Sequence, residues 1–145
     1  MVDLAKQFET IDIVTGEAAF RAYGSTLSEL FSNAALALFS VMADLSTVEL
    51  KEERVINLAD PSVERLLIDF LSELVYLKDA DAMLFARFEV DVSKKENYQL
   101  QATVSGEPIN LAKHKLGVDV KGVTLYMYKF EQLADGYLAQ VVLDI

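Results

Sequence analysis

The run Val141-Val142-Leu143-Asp144-Ile145 carries the clearest chemistry in the sequence. Its β-branched residues alternate with Gln140 and Asp144, the pattern of a strand paired to a neighbour rather than of a frayed tail. The Asp144 side chain and the Ile145 α-carboxylate are then expected side by side, and two clustered anions invite a cation. With one histidine and no cysteine in 145 residues, the usual zinc ligand sets are excluded. A metal held here needs oxygen ligands and is a hard cation such as calcium, magnesium or manganese. Asp69 and Glu73, four residues apart, would share one helical face as an acid and base or as ligands, but the same spacing is common on wet helix faces. His114, between Lys113 and Lys115, reads as a solvated loop histidine, because no partner for general-base work can be named. There is no P-loop, GxGxxG, GxSxG or HExxH pattern.

These residues must be positioned by elements that the hydrophobic period makes visible. Phe8 to Ile13 and Glu17 to Tyr23 read as strands separated by Val14-Thr15-Gly16. Thr26-Leu27-Ser28-Glu29 is a capping-box pattern opening a helix whose stripe is Leu27, Leu30, Phe31, Ala34, Leu38, Val41 and Met42, ending near Asp44. A strand over Glu53 to Leu58 follows. Asp60-Pro61 then predicts an N-cap with proline at the first position of a second helix, with Val63, Leu66, Leu67, Phe70, Leu74 and Leu77 inward. Strands around Phe88 to Val92 and Tyr98 to Ser105 alternate apolar and polar residues, so each has one wet face. Val118 to Phe130 turns apolar on both faces near Val123, Leu125 and Met127, which predicts a central strand, and Asp135-Gly136 turns into the last one. The order ββαβαββββ predicts an α+β fold. Its form is a two-layer sandwich with a mixed or mostly antiparallel sheet and two amphipathic helices packed across it.

Size and charge narrow the class. At 145 residues and 52% hydrophobic content the chain is expected to form one domain over residues 1–145, with a core large enough to need no disulfides. Thirteen lysines and arginines against 23 aspartates and glutamates leave a formal charge of −10, which repels phosphate backbones, so no direct nucleic-acid binding is expected. The acidic surface suits cations or a basic protein partner. The longest apolar stretch, Ala34 to Phe39, falls short of the ~20 residues a membrane span requires. Without cysteine, and with no secretory leader pattern in Met1 to Lys6, the expected compartment is the cytoplasm.

Several blocks together resemble the archease family. They are Glu17-Ala-Ala-Phe-Arg-Ala-Tyr-Gly24, Thr26-Leu-Ser-Glu-Leu-Phe31 with Asn33-Ala-Ala-Leu-Ala-Leu-Phe39, and Leu66-Leu-Ile-Asp-Phe-Leu-Ser-Glu-Leu-Val-Tyr76. Leu84-Phe85, Phe88-Glu-Val90, Gly106-Glu107, Val120-Lys-Gly-Val-Thr124 and the final Val141 to Ile145 follow in the family's order. The resemblance implies a non-enzymatic activator of the RtcB-type RNA-splicing ligase, promoting guanylylation and multiple turnover of that enzyme in tRNA splicing. It also implies a divalent cation, calcium by preference, bound by Glu17, Asp144 and Ile145, and a contact from Lys121 to the ligase or its nucleotide. On spacing alone Glu17 and Asp144 read as solvated strand-end acids; with the resemblance they read as a cation site.

The sequence departs from the family pattern at two histidines. Val14 stands where the family has one, and Tyr126 where it has another, in Thr124-Leu125-Tyr126. Glu17 replaces an aspartate, one methylene longer and still able to bind a cation through both oxygens. Two other function classes stay open: a small carboxylate hydrolase, which needs an enclosed pocket at Glu17, Asp69 or Glu73, and a general chaperone or interaction module, which needs an exposed apolar patch.

Overall fold

The computed structural model describes residues 6–11 and 17–145. Strands β1 (Phe8–Ile11) and β2 (Glu17–Gly24) lead into helix α1 (Leu27–Met42), followed by a 3-10 turn at Leu45–Thr47. Strand β3 (Glu52–Asp60) precedes helix α2 (Val63–Asp81), and β4 (Met83–Lys94), β5 (Tyr98–Pro108), β6 (Gly122–Leu133) and β7 (Gly136–Asp144) complete the chain. The α+β order matches the expectation, and every strand pairing is antiparallel. The expected turn Val14-Thr15-Gly16, and with it the family position at Val14, lies outside the described residues.

The strands form two sheets rather than one, ordered β1-β2-β7-β6 and β3-β5-β4. Both helices bridge them: α1 packs on β2 and β4, and α2 on β3 and β6. The apolar faces of both sheets therefore drain into a shared core. Phe31 stacks on Phe70 with centroids 6.2 Å apart, and Phe39 meets Phe85 edge-on at 5.6 Å, tying α1 to α2 and to β4. Such aromatic pairs add about 0.5–1.5 kcal/mol beyond their burial.

Local signals account for most helix boundaries. Thr26 caps α1 by accepting the Glu29 backbone N–H at 3.1 Å, while the Glu29 carboxylate turns back to Ser25 rather than to the cap residue itself. For α2 the cap is Ser62, whose hydroxyl accepts the Arg65 N–H at 3.2 Å. Asp60 sits two residues upstream and accepts the Ser62 N–H at 2.8 Å, so Pro61 lies before the helix and not at its first position. A serine three residues from a free N–H satisfies it directly, which displaces the start forward.

The largest departure concerns β6. Among the described residues it is an edge strand, paired on one side only. Its register runs from Thr124 opposite Val142 directly to Lys129 opposite Gln140, so the segment between loops out of the ladder. Leu125, Tyr126 and Met127 are exposed there at 69%, 52% and 45%, and Met127 takes φ 52°. The two-faced apolar run reflects a bulge that throws side chains outward, not a strand covered on both faces. Holding a non-glycine residue in that left-handed region costs on the order of 1–3 kcal/mol.

Candidate functional site

Register alone assembles one end of the four-stranded sheet. Glu17, the first residue of β2, lies directly opposite Asp144, the last of β7, and Gly122, the first of β6, faces Asp144 from the other side. The Lys121 backbone N–H donates to the Asp144 carbonyl at 2.7 Å. Ile145 follows immediately, its side chain half-buried against the core, which anchors the end of the strand. Thus Glu17, Asp144, Ile145 and Lys121 meet at one place, although they span nearly the whole sequence.

The electrostatics there are unusual. Directly opposed residues in an antiparallel pair project from the same face, with Cβ atoms about 4.5–5.5 Å apart, and like charges in that relation destabilise the sheet. Glu17 and Asp144 are both exposed acids, and among the described residues neither takes part in an ion pair. Nor is there, among the described residues, a group of three His, Cys, Asp or Glu side chains arranged to hold a metal ion. A cation held here would therefore draw on two side-chain carboxylates and on main-chain oxygen. That donor set is all oxygen and suits calcium or magnesium, not zinc.

Asp69 and Glu73 lie on α2, Asp69 exposed and Glu73 half-buried, and neither belongs to the strand ends whose register opposes Glu17 to Asp144. Tyr126 projects from the β6 bulge.

His114 is the clear correction, being buried with its ring fully covered rather than solvated. Its Nδ1 accepts the Asn110 backbone N–H at 2.9 Å, which leaves Nε2 to carry the proton toward Glu107 at 3.0 Å. Glu107 is itself buried, and its carboxylate also takes the Glu49 backbone N–H at 2.6 Å and the Lys113 ammonium at 2.8 Å. The Glu49 N–H, then Lys113 and His114, hold the Glu107 carboxyl down at about 2, against an ordinary 4.5. A depressed carboxyl contributes stability that is complete above its unfolded value and is lost as pH falls through the folded one. Wild-type protein should accordingly lose stability between about pH 4.5 and about pH 2, and Glu107→Gln should flatten that dependence while lowering the neutral-pH melting temperature. Melting curves across this range check it; an unchanged acid limb in Glu107→Gln would refute the assignment.

This network starts a chain of restraints on the loop from β5 to β6. Lys115 O accepts the Asp44 N–H at 2.9 Å, and the N–H groups of Gly117 and Val118 donate to Met42 O and Val41 O at 2.8 and 3.0 Å. Those carbonyls end α1 and would otherwise lack partners. The close approach requires glycine, since a Cβ on Gly117 would lie 2.5 Å from Val41 O.

The last restraint, Lys78, escaped the sequence reading. It is buried on α2, and its ammonium donates to Asp119 and to Val120 O, both at 2.8 Å, with Asp79 at 2.6 Å. Burial pushes its pKa down, but the hydrogen bonds to Asp119 and Asp79 more than reverse this, so the ammonium stays charged. The signal was present in its spacing, because Lys78 follows Leu71, Leu74 and Val75 on the apolar stripe. Lys78 thereby fixes the residues just before Lys121. Lys78→Met should leave Val120 O without a partner and destabilise by about 1–3 kcal/mol in denaturant unfolding. A loss under half a kcal/mol would show that the loop is held without it.

Comparison with known proteins gives these features a family. Residues 8–145 match the archease protein family (MTH1598/TM1083). Protein archease of Methanosarcina acetivorans is 40% identical over 147 aligned positions, covering 100% of both chains. The solution structure of Methanobacterium thermoautotrophicum protein 1598 superposes with TM-score 0.85 at 39% identity, over 96% of this chain and 99% of that one. A Thermotoga maritima archease described as a possible chaperone shares the fold at TM-score 0.63 and 20% identity, over 91% of this chain and 93% of its own. With a family match over nearly its full length and a full-length relative at 40% identity, this chain belongs to the archease family.

Proposed function

We propose that this chain activates an RtcB-type RNA-splicing ligase in the cytoplasm, promoting guanylylation and repeated turnover of that enzyme in tRNA splicing rather than catalysing a reaction itself. Family membership supports the class of function. The observation that carries the site is the direct opposition of Glu17 and Asp144, with Lys121 bonded through its backbone to Asp144. In this reading Glu17, Asp144 and the main-chain oxygen of Ile145 hold a divalent cation, calcium by preference. When bound, the cation neutralises two carboxylates that otherwise repel across the strands. Lys121, exposed beside them, faces the ligase or its nucleotide. The connected core shared by both sheets supports a single domain as the working unit.

Guanylylation of the cognate ligase, measured with and without this protein, tests the reading. The expected outcome is a faster first guanylylation and more ligation cycles per ligase. Unchanged rate and turnover would end the proposal. The exposed Leu125, Tyr126 and Met127 favour a second reading, a general interaction module, which predicts suppression of aggregation in unrelated denatured clients.

A further inference from the structure

The bulge of β6 is an exposed apolar knob on an otherwise acidic molecule. Three consecutive large apolar side chains, Leu125, Tyr126 and Met127, project from it. An edge strand is normally protected by charge, by shortness or by a cover. This one instead presents its most apolar residues outward.

The knob is built rather than loose. Thr124 Oγ1 donates to Val142 O at 2.9 Å and accepts the Tyr126 N–H at 3.3 Å. The buried Gln140 donates its Nε2 hydrogen to Met127 O at 2.9 Å, and Gln140 is in turn held by Arg21 Nε at 3.0 Å. On the far side, Tyr128 OH donates to Glu64 O at 2.6 Å. Both flanks of the projecting triad are thus bonded to the body of the protein, and its central backbone stays in a conformation a β-rich chain would otherwise shed. Observed strain of this kind points to use. Rigid presentation of tyrosine, methionine and leucine lowers the ordering cost of docking, and aromatic residues and methionine are enriched where interfaces bury.

Its surroundings identify the occupant. Thr124 lies two residues from Gly122, which faces Asp144 and, across β7, Glu17. The knob therefore lies on the same sheet edge as the strand end that carries the opposed carboxylates, opposite Val141 of β7, on a chain of net charge −10. A second copy docking two-fold through this knob would bring together two molecules that each carry a net charge of −10, which is repulsive. A protein with an apolar pocket rimmed by lysine and arginine is complementary in both respects, and a protein that handles RNA carries such basic surface.

We infer that Leu125, Tyr126 and Met127 insert into an apolar, basic-rimmed pocket of the ligase and anchor the complex beside the carboxylate pair. The inference rests on the function proposed above and adds to it the surface by which the partner is held.

Two variants and a control separate the possibilities. Leu125→Ser, Tyr126→Ser removes the exposed apolar surface, and Met127→Gly removes the third side chain while suiting its left-handed backbone. The double variant should keep the wild-type melting temperature, and Met127→Gly should keep or raise it, because glycine relieves the left-handed backbone. Each should raise the Kd for the cognate ligase, the double variant by at least about tenfold, with stimulation recovered at saturating concentration. Val55→Ser, at an equally exposed apolar residue on the three-stranded sheet, should leave the Kd unchanged. Raised ionic strength should weaken wild-type binding. If wild type and the double variant bind the ligase within about twofold of each other, the docking surface is refuted while the activator function stands. A wild-type dimer that the double variant dissociates would assign the knob to a second copy and overturn the inference. If wild type neither binds nor stimulates the ligase, the activator reading itself falls, and this occupant with it.

Discussion

Calcium should raise the melting temperature of the wild-type protein and leave a Glu17→Ala, Asp144→Ala variant unmoved. The magnitude follows from linkage: a ligand at a hundred times its Kd stabilises the folded state by about 2.7 kcal/mol, which for a domain of this size is about 5–10 °C. The sharper test is the order of stabilities. Without divalent cations the two directly opposed carboxylates repel, so the double variant should be no less stable than wild type and a few tenths of a kcal/mol more stable at low ionic strength. With calcium the order should invert. Adventitious binding to a molecule of charge −10 would stabilise both proteins alike, and that result would remove the site. Loss of the cation should also abolish stimulation of ligase guanylylation by the double variant, because the surface proposed to meet the ligase beside Lys121 would lack both its carboxylates and its bound cation.

Where the sequence was informative, the signal was local and had one solution. Thr26 sits three residues before an acid and ahead of an apolar stripe, and only a helix start satisfies that arrangement. Asp135-Gly136 marks the hairpin between the last two strands, although its tip falls one residue earlier than expected, at Ala134 and Asp135, with Gly136 opening β7 opposite Leu133. Other signals had two solutions. An apolar run on both faces fits a covered central strand or a bulged edge, and β6 takes the second because its register skips from Thr124 to Lys129. Asp60 and Ser62 both suit a helix cap, and position relative to the first free N–H decided for Ser62.

The candidate site was legible in a different way. Glu17, Asp144 and Lys121 lie far apart in sequence, and no spacing rule connects them; the resemblance to archeases drew them together, and strand register places them at one sheet end. His114 was misread because the environment of a lone histidine is set by what folds over it. Glu107 is already committed to the Glu49 N–H and Lys113, and it draws the ring inward at a position where flanking lysines suggest solvent. Lys78 was missed for the opposite reason. A charged residue on an apolar stripe is readily taken as an interruption, but it is a buried donor whose partners come from a loop more than forty residues away.

The largest loss of stability should come from a single methyl group at Gly106. This glycine lies buried in β5, between Glu52 of β3 and Phe85 of β4, at the point where β4 slips its register between Phe85 and Arg87. A Cβ there would lie 1.8 Å from Leu84 O and 2.7 Å from the Phe85 Cα, and both contacts are backbone, which cannot rotate away as a side chain can. Relief requires β4 and β5 to separate, yet Leu84 and Phe85 are core residues and Phe85 is packed edge-on against Phe39. Separation would also shift Glu107, the next residue, out of its buried network, and would stretch the Lys51 N–H bond to Gly106 O, now 2.9 Å. Gly106→Ala should thus fall in the exceptional tail of single substitutions, losing more than about 4 kcal/mol in urea unfolding or failing to fold. Gly122→Ala supplies the contrast, because among the described residues no atom lies within 4 Å of its would-be Cβ. That substitution should stabilise slightly, by about 0.4–1 kcal/mol, through the unfolded chain. Equal stabilities for the two alanine variants would mean that the tight approach of β4 to β5 is not what holds the second sheet to the core.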